Sequence, residues 1–138
     1  MSADAVTQFT VKEAAALLAV SDDTVRRWAE AGRLTLAAGE NGRSLVSGEQ
    51  LATLAQELAA QSSLAEAFPA SRASARNRLT GLVTKVTKDG VMAQVELQAG
   101  PFRIVSLMSR EAADELGLAP GVLATASVKA TTVVVELQ

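Results

Sequence analysis

The sequence predicts an α+β protein of two small domains, the first mainly helical and the second mainly β. Three observations carry this expectation. Apolar residues recur at helical spacing as far as Leu58 and at strand spacing from Leu79 onward, so the period changes from about 3.6 residues to 2. Between these regions, Ala59 to Ala73 loses its periodicity and contains Phe68-Pro69, where the residue before proline is pushed out of the helical region. The charge also changes sign: residues 1–68 hold 5 basic and 9 acidic side chains, whereas residues 69–138 hold 8 basic and 6 acidic. The expected organisation is a first domain over 1–60, a linker over 61–73 and a second domain over 74–138.

Composition narrows the function classes. At 49% hydrophobic and 20% charged, the chain is globular rather than disordered. Its longest apolar run, Ala14 to Val20, is far short of the roughly 18 residues that span a bilayer, and Met1-Ser2-Ala3-Asp4 lacks a signal peptide's basic and apolar regions. No membrane partner is expected, and a cytoplasmic location is the default. With neither cysteine nor histidine, the chain has no thiolate or imidazole ligands for zinc, copper or iron, and no Ser/His or Cys/His nucleophile pair. An enzyme is not expected. Disulfides are excluded, so small domains must gain stability from packing and from association between subunits.

In the first domain, Thr10 and Glu13 have capping-box spacing ahead of Val11, Ala14, Ala15 and Leu18, which predicts a helix from Val11 to about Ala19. Ser21 is a good N-cap for a second helix, with Val25 and Trp28 facing inward, Thr24, Arg26 and Arg27 near the surface, and Gly32 at its end. Two helices joined by so short a turn follow the helix-turn-helix plan. Arg33–Leu36 and Arg43–Val46 then read as two short strands joined through Gly39-Glu40-Asn41-Gly42, a wing, and Ser47 with Gln50 caps a third helix carrying Leu51, Leu54 and Leu58.

This segment resembles the DNA-binding module shared by phage excisionases and MerR-type regulators. The matching residues are Thr10-Val11 with Glu13-Ala14-Ala15, Ser21 with Thr24-Val25-Arg26-Arg27-Trp28, Gly32-Arg33-Leu34, and Gly42-Arg43. The resemblance implies double-stranded DNA as partner, with Thr24, Arg26 and Arg27 in or beside a major groove and Arg43 on the wing reaching phosphate or the minor groove. Asp22 and Asp23 stabilise the positive end of the second helix but repel phosphate. Binding is therefore expected to need dimerisation or a second site.

In the second domain, Val91, Ala93, Val95 and Leu97 alternate with polar or exposed positions, and Val122, Ala124, Ala126 and Val128 repeat the pattern. With Leu79–Val86, Phe102–Met108 and Thr131–Leu137 they give five strands, which suits a small barrel of the oligonucleotide/oligosaccharide-binding type with one short helix, Ser109 to Leu116. Ahead of the first strand, Ser74, Arg76 and Asn77 combine short hydrogen-bonding side chains with a fork of donors, a set suited to a tetrahedral oxyanion. On those residues alone, a turn with a solvated arginine is an equal reading, and composition alone makes Lys129 a solvated strand-end lysine.

The whole pattern, from Ser74-Ala75-Arg76-Asn77 through Leu116-Gly117-Leu118 to Lys129-Ala130-Thr131-Thr132, resembles the molbindin (Mop or TOBE) module, over about half the chain. That resemblance implies a molybdate or tungstate ligand and no metal-ion site. The implied pocket is Ser74, Ala75, Arg76 and Asn77, then Ser109, then Lys129, Ala130 and Thr131. Some members have a second serine where this chain has Ala112. Arg76 and Lys129 would supply opposite charge, each pair at about 4 Å being worth ~4 kcal/mol at an effective dielectric of ~20. The resemblance also implies a homo-oligomer, from dimer up to hexamer, with the anion between subunits, and the expected arrangement has Arg76 of one subunit facing Lys129 of its neighbour.

Together the two halves predict a molybdate-responsive DNA-binding transcription regulator. A molybdate storage or homeostasis protein, with the first domain serving assembly or partner binding, is the alternative.

Overall fold

The computed structural model describes residues 7–69 and 72–138. Met1–Asp4 and the linker positions Ala70 and Ser71 lie outside them. The chain divides into two compact units, one ending at Ala67 and the other beginning at Phe68.

The first unit opens with β1 (Gln8–Thr10), which runs directly into α1 (Val11–Leu18). Thr10 caps α1 reciprocally: its hydroxyl accepts from the Glu13 N–H at 3.2 Å, and the Glu13 carboxylate accepts from the Thr10 N–H at 2.9 Å. Ala19 then takes a left-handed conformation (φ 57°), which turns the chain into α2 (Asp22–Glu30), capped by Ser21. Next come β2 (Ala37–Ala38), a 3-10 turn over Glu40–Gly42, β3 (Ser44–Ser47), α3 (Gly48–Ala60), capped by Ser47, and a short α4 (Ser63–Ala67) within the stretch expected to be linker. The strands form an antiparallel sheet in the order β1-β3-β2. Val11, Ala14, Val25, Val46, Leu51 and Leu54 are buried in one core, with Trp28 packed at its edge.

The wing differs from expectation in its first strand. Arg33–Leu36 is not a strand; the residues that pair with Ser44–Leu45 are Ala37–Ala38. The Gln50 side chain explains this, because it accepts from the Thr35 N–H at 2.8 Å and donates to the Thr35 carbonyl at 3.3 Å. Both backbone groups that a strand partner would satisfy are already paired. Leu34 is meanwhile buried and Arg33 lies over the Trp28 ring, 5.4 Å from its centroid, so this segment serves the core.

The second unit is a curled antiparallel sheet of four strands, β4 (Asn77–Lys88), β5 (Met92–Ala99), β6 (Phe102–Ser109) and β7 (Leu123–Val128), in the order β6-β5-β4-β7. Helix α5 (Arg110–Glu115) follows β6, capped by the Ser109 hydroxyl on the Ala112 N–H at 3.0 Å. A register shift between Val83 and Lys85 interrupts the β4–β5 ladder and bends β4. Gly81 sits where β4 presses on β5: a Cβ there would overlap the Gln98 carbonyl. Val83, Val95 and Leu97 form the buried inner face, flanked by Ile104, Met108 and Ala124. A largely apolar trough of about 310 Å³ remains open along it.

The fifth strand expected over Thr131–Leu137 is absent. Among the described residues this segment is a 3-10 turn at Ala130–Thr132 followed by an unpaired tail. The tail keeps its apolar composition without burial, Val134, Val135 and Leu137 being 83%, 86% and 99% exposed. A strand needs a partner edge, and none is paired with this segment within one chain. Among the described residues, no helix is long and apolar enough to cross a membrane.

Candidate functional site

Each unit carries one candidate site. In the second, the sheet register does the positioning. Asn77 opens β4 and pairs with Val128, which closes β7, and the Asn77 amide donates to the Val128 carbonyl at 3.0 Å. Ser74, Ala75 and Arg76 therefore lie just before this pair and Lys129, Ala130 and Thr131 just after it, all at one end of the sheet. Arg76 and Lys129 are both exposed, and the Arg76 guanidinium has a long hydrogen bond to the Ala73 carbonyl, at 3.4 Å. Lys129 precedes the 3-10 turn, whose internal bonds run from the Thr132 N–H to the Lys129 carbonyl and from the Val133 N–H to the Ala130 carbonyl. Ala130 and Thr131 open that turn, so their N–H groups have no partner within it. Two cations, an amide and two backbone donors at one sheet end suit an oxyanion.

Ser109 does not join them. It pairs with Met92, and β4 reaches that end of the sheet only at Lys88, opposite Ala93. The whole 12-residue length of β4 thus separates Ser109 from Asn77. Because β4 and β7 are neighbours, the turns carrying Arg76 and Lys129 stand at one end of the same sheet within one chain, so the sheet does not require the expected division of these two residues between subunits. Distance along the sequence was a poor guide to distance in the sheet.

In the first unit, a cleft of about 410 Å³ lies between the starts of α1 and α2 and the β2–β3 connection, lined by Lys12, Asp22, Arg26, Arg43 and neighbouring residues. Arg26 and Arg43, both expected to meet DNA, share it. Arg27 does not line it; its guanidinium donates to the Thr24 hydroxyl at 3.1 Å, and Thr24 in turn is hydrogen-bonded to Ser21 at 2.9 Å. Thr24 and Arg27 are thus tied to each other along the helix. The Thr10 N–H, then the Thr10 hydroxyl, hold the Glu13 carboxyl below its ordinary range, and Arg43 adds a smaller contribution. Lys12 was not expected here. It precedes Glu13 in a capping box, a context that signals helix initiation and says nothing about a wing folding back toward it.

Residues 73–135 match the TOBE domain family. Over 63 residues the chain is 43% identical to molybdenum-pterin-binding protein 2 of Clostridium pasteurianum, covering 93% of that protein and 45% of this one. The chain belongs to the TOBE domain family. Its TOBE half is also 43% identical to molybdenum-pterin-binding protein MopA of Rhodobacter capsulatus over 67 residues, which are 48% of this chain but only a quarter (25%) of that protein. A molybdate binding protein from Sporomusa ovata is similar in structure, with 31% identity and a TM-score of 0.47, over 49% of this chain and 100% of that one. Ahead of the TOBE half, residues 9–59 match a helix-turn-helix domain family.

Proposed function

We propose that this chain is a molybdate-responsive DNA-binding regulator, in which the TOBE half binds molybdate or tungstate and the helix-turn-helix half binds DNA. The observation that carries the reading is the Asn77–Val128 pair, which sets the Arg76 turn beside the Lys129 turn in a half similar to molybdenum-pterin-binding proteins. A doubly charged tetrahedral anion leaving water needs opposite charge and many donors at once, and these two turns supply both. Size selects the larger molybdate or tungstate over sulfate, since charge and geometry are shared. Titration calorimetry with molybdate, tungstate and sulfate tests the ligand. A gel shift on DNA from the protein's own upstream region, with and without molybdate, tests the response. Equal heat with sulfate, or no heat with molybdate, overturns the ligand; a shift indifferent to molybdate overturns the regulation.

The assembled form in this reading is a homo-oligomer, at least a dimer. The apolar tail at 133–137 is exposed, the inner trough is open, and β6 and β7 are the sheet's edges. A second copy of the tail on this sheet buries both at once. Ser109 then completes the anion site from another copy, because its own chain holds it at the far end of β4.

A storage or homeostasis role is the second reading. It is favoured by the Clostridium pasteurianum relative, 93% of which is covered by a 63-residue match, so that the relative consists of little beyond this half. Molybdate binding without any DNA retained at low salt decides for it.

A further inference from the structure

We infer that Asp22 reads a base in the major groove, accepting a hydrogen bond from the N4 amino group of a cytosine, while Lys12 and Arg43 hold flanking phosphates. This rests on the DNA-binding reading of the first unit. Helix α2 begins with two carboxylates, Asp22 and Asp23, which serve its positive end equally. They differ in what they face, since Asp22 lines the cleft with Lys12, Arg26 and Arg43, whereas Asp23 does not. Among the described residues Asp22 makes no ion pair within 4.0 Å, although three cations line the same cleft. Its carboxylate therefore remains available as an acceptor where the helix meets its target.

An uncommitted carboxylate on a surface that approaches phosphates is unfavourable unless it meets a donor. In the major groove the amino donors are cytosine N4 and adenine N6. Adenine places its N7 acceptor beside N6, a pattern that suits an amide and repels a carboxylate. Cytosine is left as the match. The first residues of a recognition helix are those that reach base edges, and Asp22 is the first residue of α2. Arg26, one turn further on the same face, is placed to donate to O6 and N7 of a guanine in a neighbouring pair.

The test is selection from a randomised duplex library by the full chain at fixed moderate salt, with and without molybdate, using wild type, Asp22→Asn, Asp22→Ala and Asp23→Ala. Melting curves confirm that each variant is folded; Asp22 is exposed and Asn keeps its size. The expected wild-type motif contains a cytosine favoured roughly tenfold or more over other bases at one position. Asp22→Ala flattens that position alone, Asp22→Asn moves it toward adenine, and Asp23→Ala leaves it unchanged. If Asp22→Ala binds every sequence more tightly with the same motif, Asp22 only repels phosphate and the inference fails. Salt-sensitive wild-type binding with no motif also overturns it, leaving DNA binding intact. If wild type retains no DNA in either condition, the DNA-binding reading fails together with the inference.

Discussion

The Asn77 side chain donates to the Val128 carbonyl at 3.0 Å across the last pair of the β4–β7 ladder, and that bond fastens the two turns carrying Arg76 and Lys129. Replacing the amide leaves a partly buried carbonyl short of a donor and loosens both turns. Asn77→Leu is expected to cost about 1–2 kcal/mol of stability in the second unit, as for a lost internal hydrogen bond, and to weaken molybdate binding. Urea unfolding and titration calorimetry read the two effects separately. Lost stability with unchanged affinity places the anion elsewhere.

Gly81 offers a sharper structural test. An added Cβ would overlap the Gln98 carbonyl, and backbone cannot swing aside as a flexible side chain can. Gly81→Ala is expected to destabilise the second unit by about 1–3 kcal/mol, the usual cost of overpacking. The helix-turn-helix unit should melt as before, which shows whether the two halves unfold independently.

Acid lability has an identifiable source in the β4–β5 turn. Asp89 accepts from the Met92 N–H at 2.7 Å and the Val91 N–H at 2.8 Å, and these backbone bonds hold its carboxyl below the ordinary value of 3.8. A carboxyl depressed in the folded state contributes stability that is present above the unfolded value and is lost as pH falls through the folded one. Asp114 behaves alike, held down first by its hydrogen bond from Lys88. Asp89→Asn is therefore expected to lower Tm most at pH 6–7, and the gap from wild type should close below about pH 4. A gap that is constant with pH assigns the turn's contribution to geometry alone.

Most of the helix starts were legible in the sequence because caps are local. Thr10 with Glu13, Ser21 and Ser109 make the bonds that their spacing suggests, and Ser47 makes its half of the expected box by accepting from the Gln50 N–H. Non-local satisfaction was not legible. Gln50 reads as the return half of a capping box, yet its side chain accepts from the Thr35 N–H and donates to the Thr35 carbonyl and so cancels the expected first wing strand. The tail from Val133 shows the opposite failure, where a strand-like apolar pattern lacks a partner within one chain. At the candidate anion site, residue types came from motif order, but their grouping depended on β4 lying beside β7, which no local spacing encodes.

DNA contact in the first unit should be mainly to phosphate, because its basic residues are few and three of them share one cleft. The logarithm of affinity is expected to fall by about 0.9 for each neutralised phosphate per decade of salt. Lys12→Ala, Arg26→Ala and Arg43→Ala should lower affinity, with Lys12→Ala and Arg43→Ala each reducing the salt slope by about 0.9. Arg27→Ala should matter less, since its guanidinium is engaged with Thr24. Fluorescence anisotropy across a salt series measures this. A larger loss from Arg27→Ala than from Arg43→Ala would move the interface off the cleft.

Subunit mixing distinguishes which residues share a chain's pocket. Arg76 and Lys129 lie at one end of the same sheet, and Ser109 lies at the other end, so a composite site takes the first two from one copy and Ser109 from another. When Arg76→Ala and Lys129→Ala proteins, each deficient alone, are co-refolded, every pocket still lacks one cation, and tight binding should not return. When Arg76→Ala and Ser109→Ala proteins are co-refolded, a mixed dimer holds one doubly damaged pocket and one intact pocket. About half of the sites in such dimers should then regain wild-type affinity, measured by molybdate titration with mixed dimers confirmed by native mass spectrometry. Recovery in the first mixture rather than the second would mean that Arg76 and Lys129 meet across subunits after all. Recovery in neither, with mixing confirmed and Ser109→Ala deficient alone, would mean that all three residues serve one chain's pocket, whereas a Ser109→Ala protein that binds normally by itself removes Ser109 from the site.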